Sequence, residues 1–215
     1  MNLELLRKAD VIFWDFDGVI KESSAIKSLA FVEMFSKYGN EVLEKVMEHH
    51  QLNGGISREV KIPLYFSKFV GFSLTSKETE DRCLEYSKMV VQKVIDAPWV
   101  AGVLDYLKFN SYQQRFVLIT GTPYLEIIKI LTALDIIDCF QTVYGSPTTK
   151  IKALNKEIQS DTDVSKCLFI GDTLTDYEAA NAFEVPFMLR ETEENIKLFM
   201  GYTGLHFNDF QTLNE

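Results

Sequence analysis

The chain alternates between short apolar runs and longer stretches in which apolar residues recur at helical spacing. The most distinctive apolar run covers residues 11–14 and ends abruptly at Asp15 and Asp17. A short apolar run of this kind, bounded by polar residues, predicts a buried β-strand. Similar runs predict four more strands, at residues 115–120, 142–144, 166–171 and 186–189.

Residues 23–95 are different, because every apolar pattern in them has the period of a helix. Ile26, Leu29 and Ala30 begin the first apolar stripe, and glycines end the first two predicted helices. Ser57 and Ser76 are the expected N-caps of the next two helices. After residue 102, predicted helices alternate with the predicted strands, over residues 103–109, 122–134, 149–158 and 174–183.

Strands that alternate with helices build parallel sheets covered on both faces. The sequence therefore predicts an α/β fold, a Rossmann-like doubly wound parallel sheet, interrupted after its first strand by an α-helical domain. We expect a catalytic core formed by residues 1–20 and 98–215, and a helical insertion formed by residues 21–97.

Composition narrows the classes of function. The chain has 215 residues, 47% of them hydrophobic, and a formal net charge of -9. This negative charge disfavours nucleic acid and anionic membranes as partners, although one bound cation could still attract an anionic substrate. The widely spaced Cys83, Cys139 and Cys167 favour a reducing compartment, and no signal peptide or spanning segment is visible. We therefore expect a cytoplasmic protein.

Polar residues follow four of the predicted strands. In a parallel sheet these strand ends meet at one edge, where ligands bind. The carboxylates, hydroxyl, backbone turn and amine that would meet there suit a divalent cation and a phosphoryl group. The residues concerned are Asp15, Asp17, Thr120, Gly121, Lys150, Asp172 and Asp176.

The order of these residues resembles the haloacid dehalogenase superfamily of phosphohydrolases, in the phosphoglycolate phosphatase-like branch with a helical cap after the first strand. Residues 15–19, Asp-Phe-Asp-Gly-Val, match its first motif, and Thr120 matches its second. Lys150 matches the third, with Lys152 as a neighbouring alternative. Residues 171–176, Gly-Asp-Thr-Leu-Thr-Asp, match the fourth, so the resemblance covers nearly the whole chain.

The resemblance implies hydrolysis of a phosphate monoester with Mg2+ as cofactor. Asp15 would attack phosphorus and form an aspartyl-phosphate, while Asp17 would act as general acid and base. The magnesium ligands would be Asp15, the main-chain carbonyl of Asp17, and Asp172. Asp176 would bind the ion through water or orient the other ligands.

Substrate binding would involve both the core and the insertion. Thr120, the Gly121 amide and Lys150 would neutralise the phosphoryl oxygens. In the insertion, Arg58 is the first candidate for a substrate contact and Lys61 the weaker one; Arg58 could equally be a solvated residue of a first helical turn.

Two other pairs in the insertion have competing interpretations. Gly54 and Gly55 could permit a close approach to the substrate or could simply end a helix. His49 and His50 are adjacent on a predicted helix and point about 100° apart, so they cannot easily share a metal ion. We expect them to form an exposed helix end.

Several functions remain open at this point. A phosphomutase would need the same residues, whereas a dehalogenase would attack carbon and would not use Asp17 as an acid. The alternatives outside catalysis are an inactive protein with this fold and a receiver-like phospho-signalling module. Receiver domains, however, carry their phospho-accepting Asp on the middle strand and lack a long insertion. The expected partner is a small phosphorylated metabolite, and the protein would be a monomer or homodimer.

Overall fold

A computed structural model describes residues 3–211. Six strands in this part of the chain form one parallel sheet in the order β3-β2-β1-β4-β5-β6. The strands are β1 (Val11–Trp14), β2 (Arg115–Pro123), β3 (Thr142–Ser146), β4 (Cys167–Gly171), β5 (Phe187–Arg190) and β6 (Leu205–Phe207). The α-helices are α1 (Leu3–Lys8), α2 (Ser24–Phe35), α3 (Asn40–Leu52), α4 (Arg58–Tyr65), α5 (Ser76–Asp96), α6 (Val103–Phe109), α7 (Tyr124–Ala133), α8 (Lys150–Glu157) and α9 (Leu174–Ala182).

The central strand β1 is buried on both faces of the sheet. Successive side chains of a strand point to opposite faces. Ile12 and Trp14 accordingly pack into one apolar cluster, and Phe13 packs into another. This double burial explains why β1 reads as a continuous apolar run, and it confirms the predicted α/β fold with a parallel sheet.

Helices α2–α5, which we call the cap, follow β1 directly. Within the cap, α2 packs on both α3 and α5, and α4 packs on α5. An aromatic cluster of Phe31, Phe35, Tyr65 and Phe66 fills the space between them. The cap therefore has an apolar interior of its own, although the proposed domain boundaries stay a prediction.

Some predicted boundaries were wrong. Strand β2 continues through Pro123, which pairs with Ser146, so α7 begins at Tyr124 rather than at residue 122. The N-cap of α5 is Thr75 rather than Ser76, because Thr75 and Glu78 form a reciprocal capping box.

Other local expectations had mixed outcomes. Strand β6 was not predicted, because residues 205–207, Leu-His-Phe, do not form a continuous apolar run. Of the three free cysteines among the described residues, Cys167 is buried, and Cys83 and Cys139 are half-buried. Among residues 3–211, no helix is long and apolar enough to cross a membrane.

Candidate active site

Three carboxylates meet at the carboxyl edge of the sheet. Asp15 follows β1, Asp172 follows β4, and Asp176 lies in the first turn of α9. One oxygen of each lies within 4.8 Å of the others, and all three side chains are buried. The parallel sheet therefore brings together the acids of the first and fourth motifs.

Lys150 supplies a positive charge to this cluster. Its Nζ donates to Asp15 Oδ2 at 2.8 Å and also contacts Asp176 Oδ1. The alternative, Lys152, is exposed. Lys150 reaches inward because Thr149 caps α8 by accepting from the Lys152 amide, which places Lys150 at the first helical position.

One ammonium does not balance three buried carboxylates. Burial, together with the neighbouring Asp176 charge, raises the pKa of Asp15 to about 7, although Lys150 opposes the shift. Burial also raises the pKa of Asp172 well above its usual value, with Asp15 adding to the effect. For Lys150, burial opposes the charged form, but the two carboxylates outweigh it and raise its pKa.

The donor set fits a divalent cation. Oδ1 of Asp172 is buried and has no hydrogen-bond partner among the described residues. Gly18 keeps the approach to this carboxylate clear, because a Cβ there would lie 2.0 Å from Asp172 Oδ2. An unpartnered carboxylate oxygen beside two further acids is what an oxygen-coordinated cation such as Mg2+ requires.

Asp17 lies apart from the carboxylate cluster and has a different set of partners. Ser23 donates to its Oδ1 at 2.6 Å, and Thr122 donates to Oδ2 at 3.3 Å. Lys27, on cap helix α2, forms an ion pair with Oδ2 and donates to Thr122 Oγ1 at 2.8 Å. The two acids of the first motif thus have separate environments, one around Lys150 and one around Lys27.

The loop between α3 and α4 lies directly over the end of β2. A Cβ on Gly121 would come within 2.4 Å of the Gly55 carbonyl oxygen. A Cβ on Gly55 would lie 1.9 Å from Thr175 Oγ1 and 3.0 Å from Lys150 Nζ. These separations show that Gly55 lets the cap loop lie close to the core, and a close approach to the substrate stays a prediction. Thr120 is buried beside this contact.

Arg58 and Lys61 are both buried in the cap, so Arg58 is not a solvated residue. The Arg58 guanidinium is paired with Glu126 of core helix α7 and donates to Ser87 at 2.8 Å. Its charge is therefore already balanced by protein. Lys61 is 1% exposed and its Nζ lies 3.0 Å from His50 Nδ1.

The expectation of an exposed helix end at His49 and His50 was wrong, because His50 is 8% exposed and His49 is half-buried. Helix α3 packs against its neighbours in the cap, and the His50 ring lies 4.7 Å from that of Phe31. Burial, with the nearby Lys61 and Lys27 charges, lowers the pKa of His50 to about 3. The imidazole is therefore neutral.

One cavity lies between the acidic residues of the core and the buried cations of the cap. It encloses about 940 Å³, counting the space at its open mouth. Its core wall includes the residues Asp15, Asp17, Thr120, Gly121 and Asp172, and its cap wall includes Lys27, Phe31, His50, Arg58 and Lys61. The volume suits a small molecule.

Three residues of the site were not predicted from the sequence. Lys27 and Thr122 contact Asp17, and Asn195 donates to the Asp172 main-chain carbonyl at 2.8 Å. Thr122 lies two residues beyond the predicted Thr120, so strand alternation could have suggested it. Lys27 and Asn195 reach the site only through tertiary packing.

Comparison with known proteins adds to this geometry. The model of the haloacid dehalogenase-like hydrolase family matches residues 11–189. A phosphoglycolate phosphatase of Colwellia psychrerythraea strain 34H is 24% identical, over 98% of this chain and 96% of its own length.

Two solved structures share the fold. A predicted phosphoglycolate phosphatase of Haemophilus somnus superposes with a TM-score of 0.70 at 16% identity, covering 97% of this chain and 99% of the other. A β-phosphoglucomutase of Clostridium difficile has a TM-score of 0.71 at 20% identity, covering 95% and 93%. At these identities the likeness establishes the architecture alone.

Proposed function

Since the chain belongs to the haloacid dehalogenase-like hydrolase family, we propose that it hydrolyses a small phosphate monoester through an aspartyl-phosphate on Asp15. The observation that carries this proposal is the buried contact between Asp15 and Lys150, beside a carboxylate oxygen of Asp172 that has no partner. A carboxylate, an ammonium and a cation-binding oxygen set together are the requirements for an anionic nucleophile to approach an anionic phosphate.

In the first step, an oxygen of Asp15 forms a bond to phosphorus as the ester P–O bond breaks. Asp17 gives its proton to the departing alkoxide. Bound Mg2+, held by Asp15, Asp172 and the Asp17 carbonyl, would supply positive charge that offsets the repulsion between nucleophile and phosphate. Asp176 has both oxygens engaged, by Lys150 and Thr173, and so orients the set.

In the second step, water attacks the aspartyl-phosphate, Asp17 takes its proton, and inorganic phosphate is released with Asp15 restored. Ser23, Lys27 and Thr122 hold the Asp17 carboxyl at the place where both proton transfers occur. Lys27 belongs to the cap, so this arrangement depends on the cap lying over the core.

The phosphoryl oxygens gain negative charge as the bond to the leaving group breaks. Lys150, the Thr120 hydroxyl and the Gly121 amide are the donors we assign to them. The Gly55 carbonyl lies close to Gly121, so the cap loop covers the cavity at the end of β2. This cover would exclude water from the reacting groups.

The setting we propose for this reaction is the cytoplasm. The net charge of -9 and the cavity volume of about 940 Å³ favour a small phosphorylated metabolite over nucleic acid as the substrate. The same groups could return the phosphoryl group to another hydroxyl of the substrate, as a phosphomutase does, and free phosphate is the product that separates the two reactions.

The test is phosphate release from p-nitrophenyl phosphate with MgCl2, for the wild type and for Asp15→Asn. We expect Asp15→Asn to lower kcat by about 10⁴-fold or more, because the nucleophile is lost. Asp105→Asn, at an exposed position on α6, is the matched control and should be unaffected. Unchanged turnover in Asp15→Asn would overturn the mechanism.

Asp17→Asn gives a second measurement. Without its general base the second step slows, so the mass of one phosphoryl group should accumulate on the peptide that contains Asp15. With a sugar phosphate as substrate, an isomeric phosphate appearing without free phosphate would identify a mutase instead of a hydrolase.

A further inference from the structure

Lys61 is a buried cation that no protein anion neutralises. It lies on α4, is 1% exposed, and lines the active-site cavity. Within residues 3–211, its ammonium has one hydrogen-bond partner, the neutral His50, and makes no ion pair with a carboxylate. Charged groups are almost never fully buried unless they are paired, so this position needs an explanation.

The contacts of His50 show that Lys61 is held in place. An ammonium can only donate, so His50 Nδ1 must accept from Lys61 and Nε2 must carry the proton. That proton is donated to Ser28 Oγ at 3.2 Å, and Ser28 donates in turn to the Ser24 carbonyl at 3.3 Å. One N–H of Lys61 is fixed in this way, and the other two have no protein acceptor among the described residues.

We propose that these free N–H groups bind a second anionic group of the substrate, so that the substrate is a small phosphate ester that also carries a carboxylate or a second phosphate. This inference rests on the proposed phosphatase function, because it requires the ester phosphate to lie at Asp15. Both ends of such a molecule would lie within the one cavity that Asp15 and Lys61 line.

Arg58 resembles Lys61 in being a buried cap cation that lines the cavity, but it differs in having protein partners for its charge. Glu126 and Ser87 already occupy its guanidinium, so a substrate anion would have to compete with protein partners. Lys61 has no such competitor. Burial and the charges of Lys27 and Lys150 lower the pKa of Lys61 to about 7, and a bound anion would reverse that shift.

The experiment compares selectivity among three esters assayed with Mg2+: 2-phosphoglycolate, 1,3-propanediol bisphosphate and p-nitrophenyl phosphate. Selectivity is kcat/KM for a two-anion ester divided by kcat/KM for p-nitrophenyl phosphate. We expect Lys61→Met to lower it by about 10- to 100-fold, mainly through KM, because a charge-assisted hydrogen bond is lost. The first two esters distinguish a carboxylate from a second phosphate as the group bound.

Two further variants complete the design. Lys88→Met, at an exposed position on α5, should leave the selectivity unchanged. Lys61→Arg keeps the charge and should restore part of the selectivity that Lys61→Met loses. The thermal transition of each variant, measured alongside, shows whether it is folded.

The outcomes separate the two proposals. If folded wild-type protein releases no phosphate from any of the three esters, the phosphatase function fails. If it does release phosphate but Lys61→Met keeps the wild-type selectivity for both two-anion esters, the role of Lys61 is overturned while the phosphatase function stands.

Discussion

Two buried lysines, one in the core and one in the cap, have opposite electrostatic surroundings. Lys150 contacts two carboxylates, which raise its pKa. Among the described residues, the Lys61 ammonium has a neutral imidazole as its hydrogen-bond partner and makes no ion pair, and burial with the Lys27 and Lys150 charges lowers its pKa to about 7. Lys150 thus has carboxylate partners within the protein, whereas Lys61 has none among residues 3–211.

This difference indicates how the work is divided between the two regions. The core has fixed charges arranged for the phosphoryl group that every substrate of the proposed reaction would share. The cap has the unpaired Lys61 charge, and its burial is compensated only when an anionic ligand binds beside it. The residues at the sheet edge would then carry out the reaction, and helices α3 and α4 would determine which substrate binds.

Substitution of Lys150 should give the largest effect and would test the first half of the comparison. We expect Lys150→Met to lower kcat/KM by about 10³-fold on all esters alike, because a donor to the transition state is lost. It should also lower the free energy of unfolding by about 3 kcal/mol without metal, since Asp15 and Asp176 lose their buried partner.

Phosphate release measures the loss of kcat/KM in Lys150→Met, and urea denaturation measures the loss of stability. A loss confined to the two-anion esters would remove the distinction between the lysines, because Lys150 would then be acting on substrate choice. Lys152→Met, on the same helix but exposed, is the matched control.

Substitution of Lys61 should change the free energy of unfolding in the opposite direction to substitution of Lys150. Lys61→Met removes an unpaired buried charge but leaves His50 Nδ1 without a donor, so we expect a net gain of about 1–2 kcal/mol in the free energy of unfolding. Urea denaturation without ligand, with Lys88→Met as control, measures it. A loss of more than about 1 kcal/mol would show that Lys61 is already well compensated.

The pH dependence of that gain follows from the pKa of Lys61. The charged groups near its ammonium are Lys27 from α2 and Lys150 from α8, and both disfavour the charged form. The neutral His50 from α3 accepts one hydrogen bond from it, and the Phe31 ring of α2 lies 6.0 Å away, but neither supplies a negative charge. Below pH 7 both native and unfolded protein hold the Lys61 proton, so the full cost is present. Between pH 7 and about 10 only the unfolded chain holds it, so wild-type stability rises by up to about 1.4 kcal/mol per unit.

The advantage of Lys61→Met should therefore be largest below pH 7, should fall to zero about one unit above pH 7, and should become a disadvantage towards pH 10. Denaturation curves of the two proteins at matched pH values measure this difference, and other titrating groups cancel in it. A difference that is independent of pH would mean that Lys61 keeps its proton in the native state.

The sequence predicted the core end of the site much better than the cap end. Asp15, Thr120 and Asp172 could be placed together because each follows an apolar run, and parallel strands end at one edge. The local period alone is enough for that argument. The same argument gave the doubly wound sheet, but it missed β6, whose residues 205–207, Leu-His-Phe, form no continuous apolar run, and it ended β2 too early.

The cap end depends on packing that no local pattern contains. His50 was expected to lie at an exposed helix end, yet α3 turns it towards Lys61 and Phe31. Lys27 was not singled out, because its contact with Asp17 requires α2 to lie over the sheet edge. Side chains that meet across two helices cannot be inferred from either helix alone.

Ser28 gives the smallest expected effect and tests how the cap positions its cation. Ser28→Ala removes the acceptor for His50 Nε2–H, so the imidazole can also adopt the tautomer with the proton on Nδ1. That tautomer cannot accept from Lys61. We expect a loss of about 2- to 5-fold in selectivity for two-anion esters, in line with one neutral hydrogen bond.

A merely structural role for Ser28 would leave the imidazole unchanged, so the decisive measurement is the nitrogen NMR spectrum of His50. In the wild type it should show a protonated Nε2 and an unprotonated Nδ1, and in Ser28→Ala a mixture of the two tautomers. Ser36→Ala, an exposed serine at the end of α2, is the control. If Ser28→Ala keeps the wild-type tautomer while selectivity falls, Ser28 would act on the substrate directly and the relay from Ser28 through His50 to Lys61 would be wrong.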